Sequence, residues 1–145
     1  MDFVWAGERQ KINTMLHFSL QREELKGVLT ICAVDFYKIY IDGKFVSYGP
    51  ERTAAGYSVA RQLSLNNAKR IDIIVSYYGI ASYACDLQKP FFGCEIINEE
   101  QIIAKASDFE CYLIHARTSN VPRYSYQRGY LEIYDLSQAE EKLPT

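Results

Sequence analysis

Histidine is scarce in this sequence: His17 and His115 are its only two. Each falls in an alternating apolar segment, where a solitary imidazole packs or hydrogen-bonds, and neither sits among the clustered ligands a metal site requires. The four cysteines, Cys32, Cys85, Cys94 and Cys111, include no C-x-x-C pair, so neither a zinc site nor a redox motif is indicated. Cys32, Cys94 and Cys111 lie in apolar runs and read as buried free thiols. Cys85 and Cys94 are far enough apart to bridge, a matter that geometry decides. There is no Gly-rich phosphate loop, no G-x-S-x-G elbow and no H-E-x-x-H, so no cofactor is expected. Sixteen basic residues against 18 acidic ones leave a net charge of −2, without the basic face that nucleic acid requires. No apolar run approaches a membrane span and no apolar leader follows Met1. The expectation is therefore no membrane partner and a cytoplasmic, reducing compartment, with secretion open if a leader was removed.

What the chain does have is aromatics: twelve Tyr and seven Phe in 145 residues. Such residues suit pleated, half-buried surfaces, which points to an all-β domain, and a Tyr-rich face also suits stacking on sugars. The length fits one domain with a substantial core. Residues 33–50, AVDFYKIYIDGKFVSYGP, organise the rest. Two alternating runs flank Asp42-Gly43, a pair that tolerates the positive φ values of a two-residue hairpin loop. That loop places Ile41 opposite Lys44, Tyr40 opposite Phe45 and Ile39 opposite Val46. Tyr37, Ile39, Ile41 and Val46 then share an apolar side, with Phe36, Lys38, Tyr40, Phe45 and Ser47 on a mixed one. Gly49-Pro50 ends the second strand, because proline cannot continue a ladder.

Taken in order, the N-terminal residues pass Trp5 and a Gly7-Glu8 pair into a strand over 12–20. Residues 21–24, QREE, read as a polar connection or a single helical turn. Residues 28–34 form an apolar run of strand length. Beyond the hairpin, 57–65 and 70–78 alternate as strands around a turn at 66–69. Residues 79–90 form a loop rich in aromatic and small residues. Further strands are expected over 91–97, 101–104, 110–115 and 131–136, with a charged tail after them. Short strands at this spacing, with no amphipathic helix, suggest a β-sandwich.

Chemistry is harder to locate. The neighbouring pairs Glu23-Glu24, Glu99-Glu100 and Glu140-Glu141 fall in expected turns or the tail, where adjacent side chains diverge into solvent. Glu95, Glu132 and Asp135 lie in apolar segments and are candidates for partial burial, but no partner is identifiable. An independent enzyme built on such strand carboxylates ranks last. Five aromatic residues around the 79–90 loop stand out: Tyr77, Tyr78, Tyr83, Phe91 and Phe92. They are candidates for carbohydrate binding or for a domain interface, with core packing as the competing use.

Three segments together resemble a known family. The hairpin AVDFYKIYIDGKFVSYGP is similar to that of the N-terminal β-sandwich domain of α-L-rhamnosidases, a family of glycoside hydrolases. RIDIIVSYYGIASYACDLQKPFFGCEI resembles the next part of that domain, and YSYQRGYLEIYDL, residues 124–136, its closing segment. Asp42 stands where the family often has Asn, and both suit the turn. The resemblance implies a jelly-roll-like, galactose-binding-like sandwich over 1–136, with 137–145 as a linker or terminal segment. It further implies a non-catalytic accessory role beside a helical-barrel catalytic domain that hydrolyses terminal α-L-rhamnosides with inversion. No catalytic acid of that barrel carries over to this chain. The implied partners are the catalytic domain of the same parent chain and rhamnose-containing glycans. The alternative is a carbohydrate-binding β-sandwich acting on its own.

Overall fold

The computed structural model describes residues 1–6, 12–54 and 56–144, so the Gly7-Glu8 pair lies outside the described residues. Nine strands are described in order: β1 (Asp2–Val4), β2 (Thr14–Ala33), β3 (Phe36–Ile41), β4 (Lys44–Gly49), β5 (Arg61–Tyr77), β6 (Phe92–Asn98), β7 (Gln101–Lys105), β8 (Glu110–Ile114) and β9 (Glu140–Leu143). The described helical structure is a 3-10 turn at Ala106–Asp108. Every strand pairing is antiparallel.

Two strands carry the architecture. β2 runs for 20 residues and β5 for 17, paired with each other from Thr14 opposite Tyr77 to Ile31 opposite Arg61. Early in β2, its other edge takes β8 and then β9, while the late part of β5 takes β3 and then β4. Late in β2, the free edge takes β6, which in turn holds β1 and β7. The ribbon thus passes from one layer of a sandwich into the other. Phe18 of the first layer stacks on Phe92 of the second at 4.0 Å between centroids.

The crossing explains two corrections. Residues 21–24 are extended strand, not a connection or helical turn, and 66–69 are strand rather than turn. Both are polar because the ribbon lies at the rim of the sandwich there. Leu25 and Ala68, paired across the ribbon, turn inward at 1% and 2% exposure. Register shifts on either side of Leu25 supply the bend. Gly27, at φ +118°, closes the second shift, and a Cβ there would sit 2.2 Å from the carbonyl oxygen of Ile97.

The hairpin forms as expected at its tip, with φ 49° at Asp42 and 75° at Gly43. Ile41 faces Lys44 and Tyr40 faces Phe45, but a bulge follows and Ile39 faces Ser47 instead of Val46. The extra residue turns Val46 out to solvent, while Tyr37 and Ile39 are fully buried. At the C-terminal end, 131–136 is not a strand. It is held by an isolated bridge between Arg117 and Tyr134, with Thr118 N–H donating to Ile133 O and Asp135 N–H to Ala116 O. Residues 140–143, expected in a linker or terminal segment, pair instead with β8 and bury Leu143. One leucine in a charged run gives no readable period. All four cysteines are free, and Cys94 is fully buried.

Candidate functional site

Strand alternation divides the first layer into two faces. Leu16, Phe18, Ile39, Ile71, Ile73 and Val75 point into the core. Their neighbours form the outer face, where Phe36 lies opposite Ser76, Lys38 opposite Ile74, and Met15 opposite Ser76 from the other side. The 131–136 segment stands beside these strands and adds Glu132 and Tyr134, closing a groove of about 450 Å³. Phe36, Tyr40, Tyr78 and Tyr134 supply aromatic surface to it, and Lys38 and Glu132 supply the charges. The Phe36 ring is braced by Tyr48, at 6.0 Å between centroids, and Lys38 Nζ sits 5.9 Å from its centre.

Glu132 is fixed from behind. Arg117, 4% exposed, donates from Nη2 to Oε1 at 2.9 Å and from Nε to Oε2 at 3.1 Å. Its Nη1 donates to Asn13 O, and its guanidinium lies 5.4 Å from the Tyr78 ring centre. The Tyr134 hydroxyl donates to Glu132 Oε2 at 2.8 Å. These bonds, Arg117 foremost, hold the Glu132 carboxyl below its ordinary range against the cost of partial burial. Tyr78, by contrast, is pushed up to about 12 by burial and by the Glu132 charge. The result is a persistent carboxylate whose side chain is 47% exposed at the groove wall.

The five aromatic candidates separate. Phe92 is fully enclosed, stacked on Phe18 and edge-on to Phe109. Tyr77 is 6% exposed, packed edge-on to Trp5, with its hydroxyl donating to Gln88 O. Both rings belong to the core and have no face to offer a ligand. Phe91 is half-buried against Phe3. Tyr78 lines the groove, and Tyr83 is 70% exposed at the loop end of the sandwich. Phe36, Tyr40 and Tyr134 escaped the sequence reading as site residues. The mixed side of the hairpin carried the signal for Phe36 and Tyr40, whereas nothing local places Tyr134 beside them.

The loop end forms a second feature, with large exposed side chains around a mixed cleft. Tyr57, Tyr83 and Leu87 are 75%, 70% and 69% exposed around a cleft of about 380 Å³. The loop carrying Tyr124 and Tyr126 joins it, because Tyr83 N–H donates to Gln127 O and Arg123 donates to Ala81 O. Asp35 enters the same cleft; burial raises its carboxyl, and the backbone N–H of Tyr78 donates to it at 2.6 Å.

A third, polar depression of about 620 Å³ lies further across the outer face, over β2, β8 and β9. His17 sits there with Nε2 2.8 Å from Asp72 and Nδ1 2.8 Å from Glu140. Ser19 Oγ donates to Asp72, not to His17, so the nucleophile-to-base bond of a hydrolytic triad is not assembled. Burial alone would raise the Asp72 carboxyl, but bonds from His17, Ser19 and Arg70 outweigh it and leave it lowered. Among the carboxylates singled out from sequence, Glu95 pairs with the N-terminal ammonium at 2.9 Å. Asp135 accepts bonds from Ser137 and Gln138 in solvent. No cluster of metal-binding side chains occurs among the described residues.

Fold and surface together define an all-β protein, an antiparallel β-sandwich with an aromatic groove on one outer face. The fold matches the crystal structure of a GH78 family rhamnosidase of Bacillus sp. GL1, with a TM-score of 0.80 at 20% sequence identity. The likeness covers 92% of this chain and 15% of that one. At this identity it establishes a shared fold, which meets the expectation of a β-sandwich. No protein-family model and no curated protein matches the chain.

Proposed function

We propose that this chain is a non-catalytic accessory domain of an α-L-rhamnosidase-like glycoside hydrolase, which packs against a helical-barrel catalytic domain and positions it. The observation that carries this reading is the proportion of the fold match: nearly the whole of this sandwich corresponds to about one-seventh of a rhamnosidase. The loop-end patch supports it. Tyr57, Tyr83, Leu87, Tyr124 and Tyr126 leave a cluster of large side chains in water, as expected where a second domain docks.

An antibody raised against this chain tests the reading on extracts of the native cells. A polypeptide several times longer, or one that co-purifies with aryl α-L-rhamnoside hydrolysis, supports it. A band at the length of this chain, with no hydrolase accompanying it, overturns it. Carbohydrate binding is the second reading, favoured by the aromatic groove.

A further inference from the structure

The geometry points to a sugar-binding site in the groove between Tyr40, Phe36 and Tyr134, taking one pyranose unit of a neutral glycan. This site is different from the one the loop aromatics would make: of the five sequence candidates, it uses Tyr78 alone. Recognising a pyranose takes two things. Its C–H face needs a flat ring to lie on, and its hydroxyls need acceptors and donors held at fixed positions.

The groove provides both, the rings from a paired strand and the acceptor from a segment pinned by Arg117. Phe36 and Tyr40 stand on β3, an interior strand paired on both sides, and Phe36 is braced by Tyr48. Glu132 is the acceptor. Its two oxygens are already oriented by Arg117 and Tyr134, yet nearly half of its side chain still faces the groove and solvent. Lys38 is the donor, exposed on the same face of the sheet. Preorganisation of this kind lowers the ordering cost of binding. A volume of about 450 Å³ lies in the range of small-molecule sites and leaves room for bridging water. Arg117 holds Glu132 from the buried side, so the carboxylate keeps its remaining lone pairs for hydroxyl donors in the groove.

The groove and the loop-end patch involve different side chains, so this inference and the accessory-domain reading can fail separately. Titrating the full chain with methyl α-L-rhamnopyranoside and, separately, methyl β-D-glucopyranoside, followed by amide NMR, decides it. Saturable shifts confined to 36–40, 74–78 and 132–134, with a millimolar Kd for at least one probe, are expected. Tyr40→Ala and Lys38→Met should each weaken that binding about tenfold with the fold retained. Lys38→Met should leave the melting temperature unchanged, and Tyr40→Ala should lower it only by the lost ring contact with Phe45. Tyr83→Ala should leave it intact. Two outcomes overturn the site: no saturable shift with either pyranoside, or shifts that ignore Tyr40→Ala and move to residues 82–88.

Discussion

Arg117 and Glu132 meet through two parallel hydrogen bonds, of 2.9 and 3.1 Å, with the guanidinium buried and the carboxylate half in water. The pair spans 15 residues of chain without regular structure and fixes the C-terminal segment against the first layer. Truncating the two partners therefore has unequal consequences. Arg117→Ala orphans Asn13 O and uncovers Tyr78, and should cost roughly 3 kcal/mol. Glu132→Gln keeps one acceptor in place and should cost about 1 kcal/mol. Urea unfolding of the two variants checks the order, and equal losses would show that the ion pair does not anchor the segment.

Acid should weaken the fold partly through Asp72. Its folded carboxyl lies below the ordinary value of 3.8, so its contribution is fully present above that value. The contribution is lost as pH falls through the lower folded value. Asp72→Asn removes the contribution. The stability gap between wild type and variant should be largest near neutrality and close toward about pH 2, as followed by urea midpoints across that range. A gap that stays constant with pH would assign Asp72 a purely steric role.

Asp42 does more than turn the hairpin. Its Oδ1 accepts the backbone N–H groups of Lys69 and Arg70, both at 2.9 Å, tying the loop to the rim of β5. Asp42→Asn retains an oxygen acceptor and a residue that tolerates positive φ, and should lose under about 1 kcal/mol. Asp42→Ala loses both and should cost about 2 kcal/mol in the same measurement.

Legibility in the sequence followed the physics of each element. The hairpin tip and the strand over 70–78 were readable because alternation and turn chemistry are local. The bulge that displaces Val46 was not, since nothing in FVS distinguishes a bulged residue from a paired one. The long strands were cut at 21–24 and 66–69 because a ribbon crossing the rim of a sandwich is polar on nearly every side chain. The groove was half legible. Phe36, Lys38 and Tyr40 could be placed on one face, but Glu132 and Tyr134 arrive through the Arg117 bridge, a contact with no sequence spacing to announce it. The loop aromatics misled in part because Tyr77 and Phe92 end and begin strands, and their rings follow the inward register of those strands.

Phe18 and Phe92 join the two layers, and their coupling is measurable. Each is fully buried, so either single change to Ala should cost about 3–5 kcal/mol. The double variant should fall short of the sum by about 1 kcal/mol, the share owed to the stacked pair itself. Full additivity would mean that the rings merely fill volume.

The bend at the rim offers the sharpest test of the architecture. Gly27 combines a φ of +118° with a backbone oxygen 2.2 Å from the position a Cβ would take. The blocking atom is the carbonyl of Ile97, where β6 runs alongside β2, so no side-chain rotation can relieve the clash. The two paired strands would have to separate locally. Gly27→Ala should therefore cost more than about 3 kcal/mol, combining backbone strain with overpacking. Gly129→Ala is the control: a Cβ there meets nothing within 4 Å, and a change within about 0.5 kcal/mol is expected. Thermal melts of the two variants separate the cases. Similar melting temperatures would mean that β2 tolerates a side chain at the crossing, and that the continuous ribbon is not what holds the sandwich together.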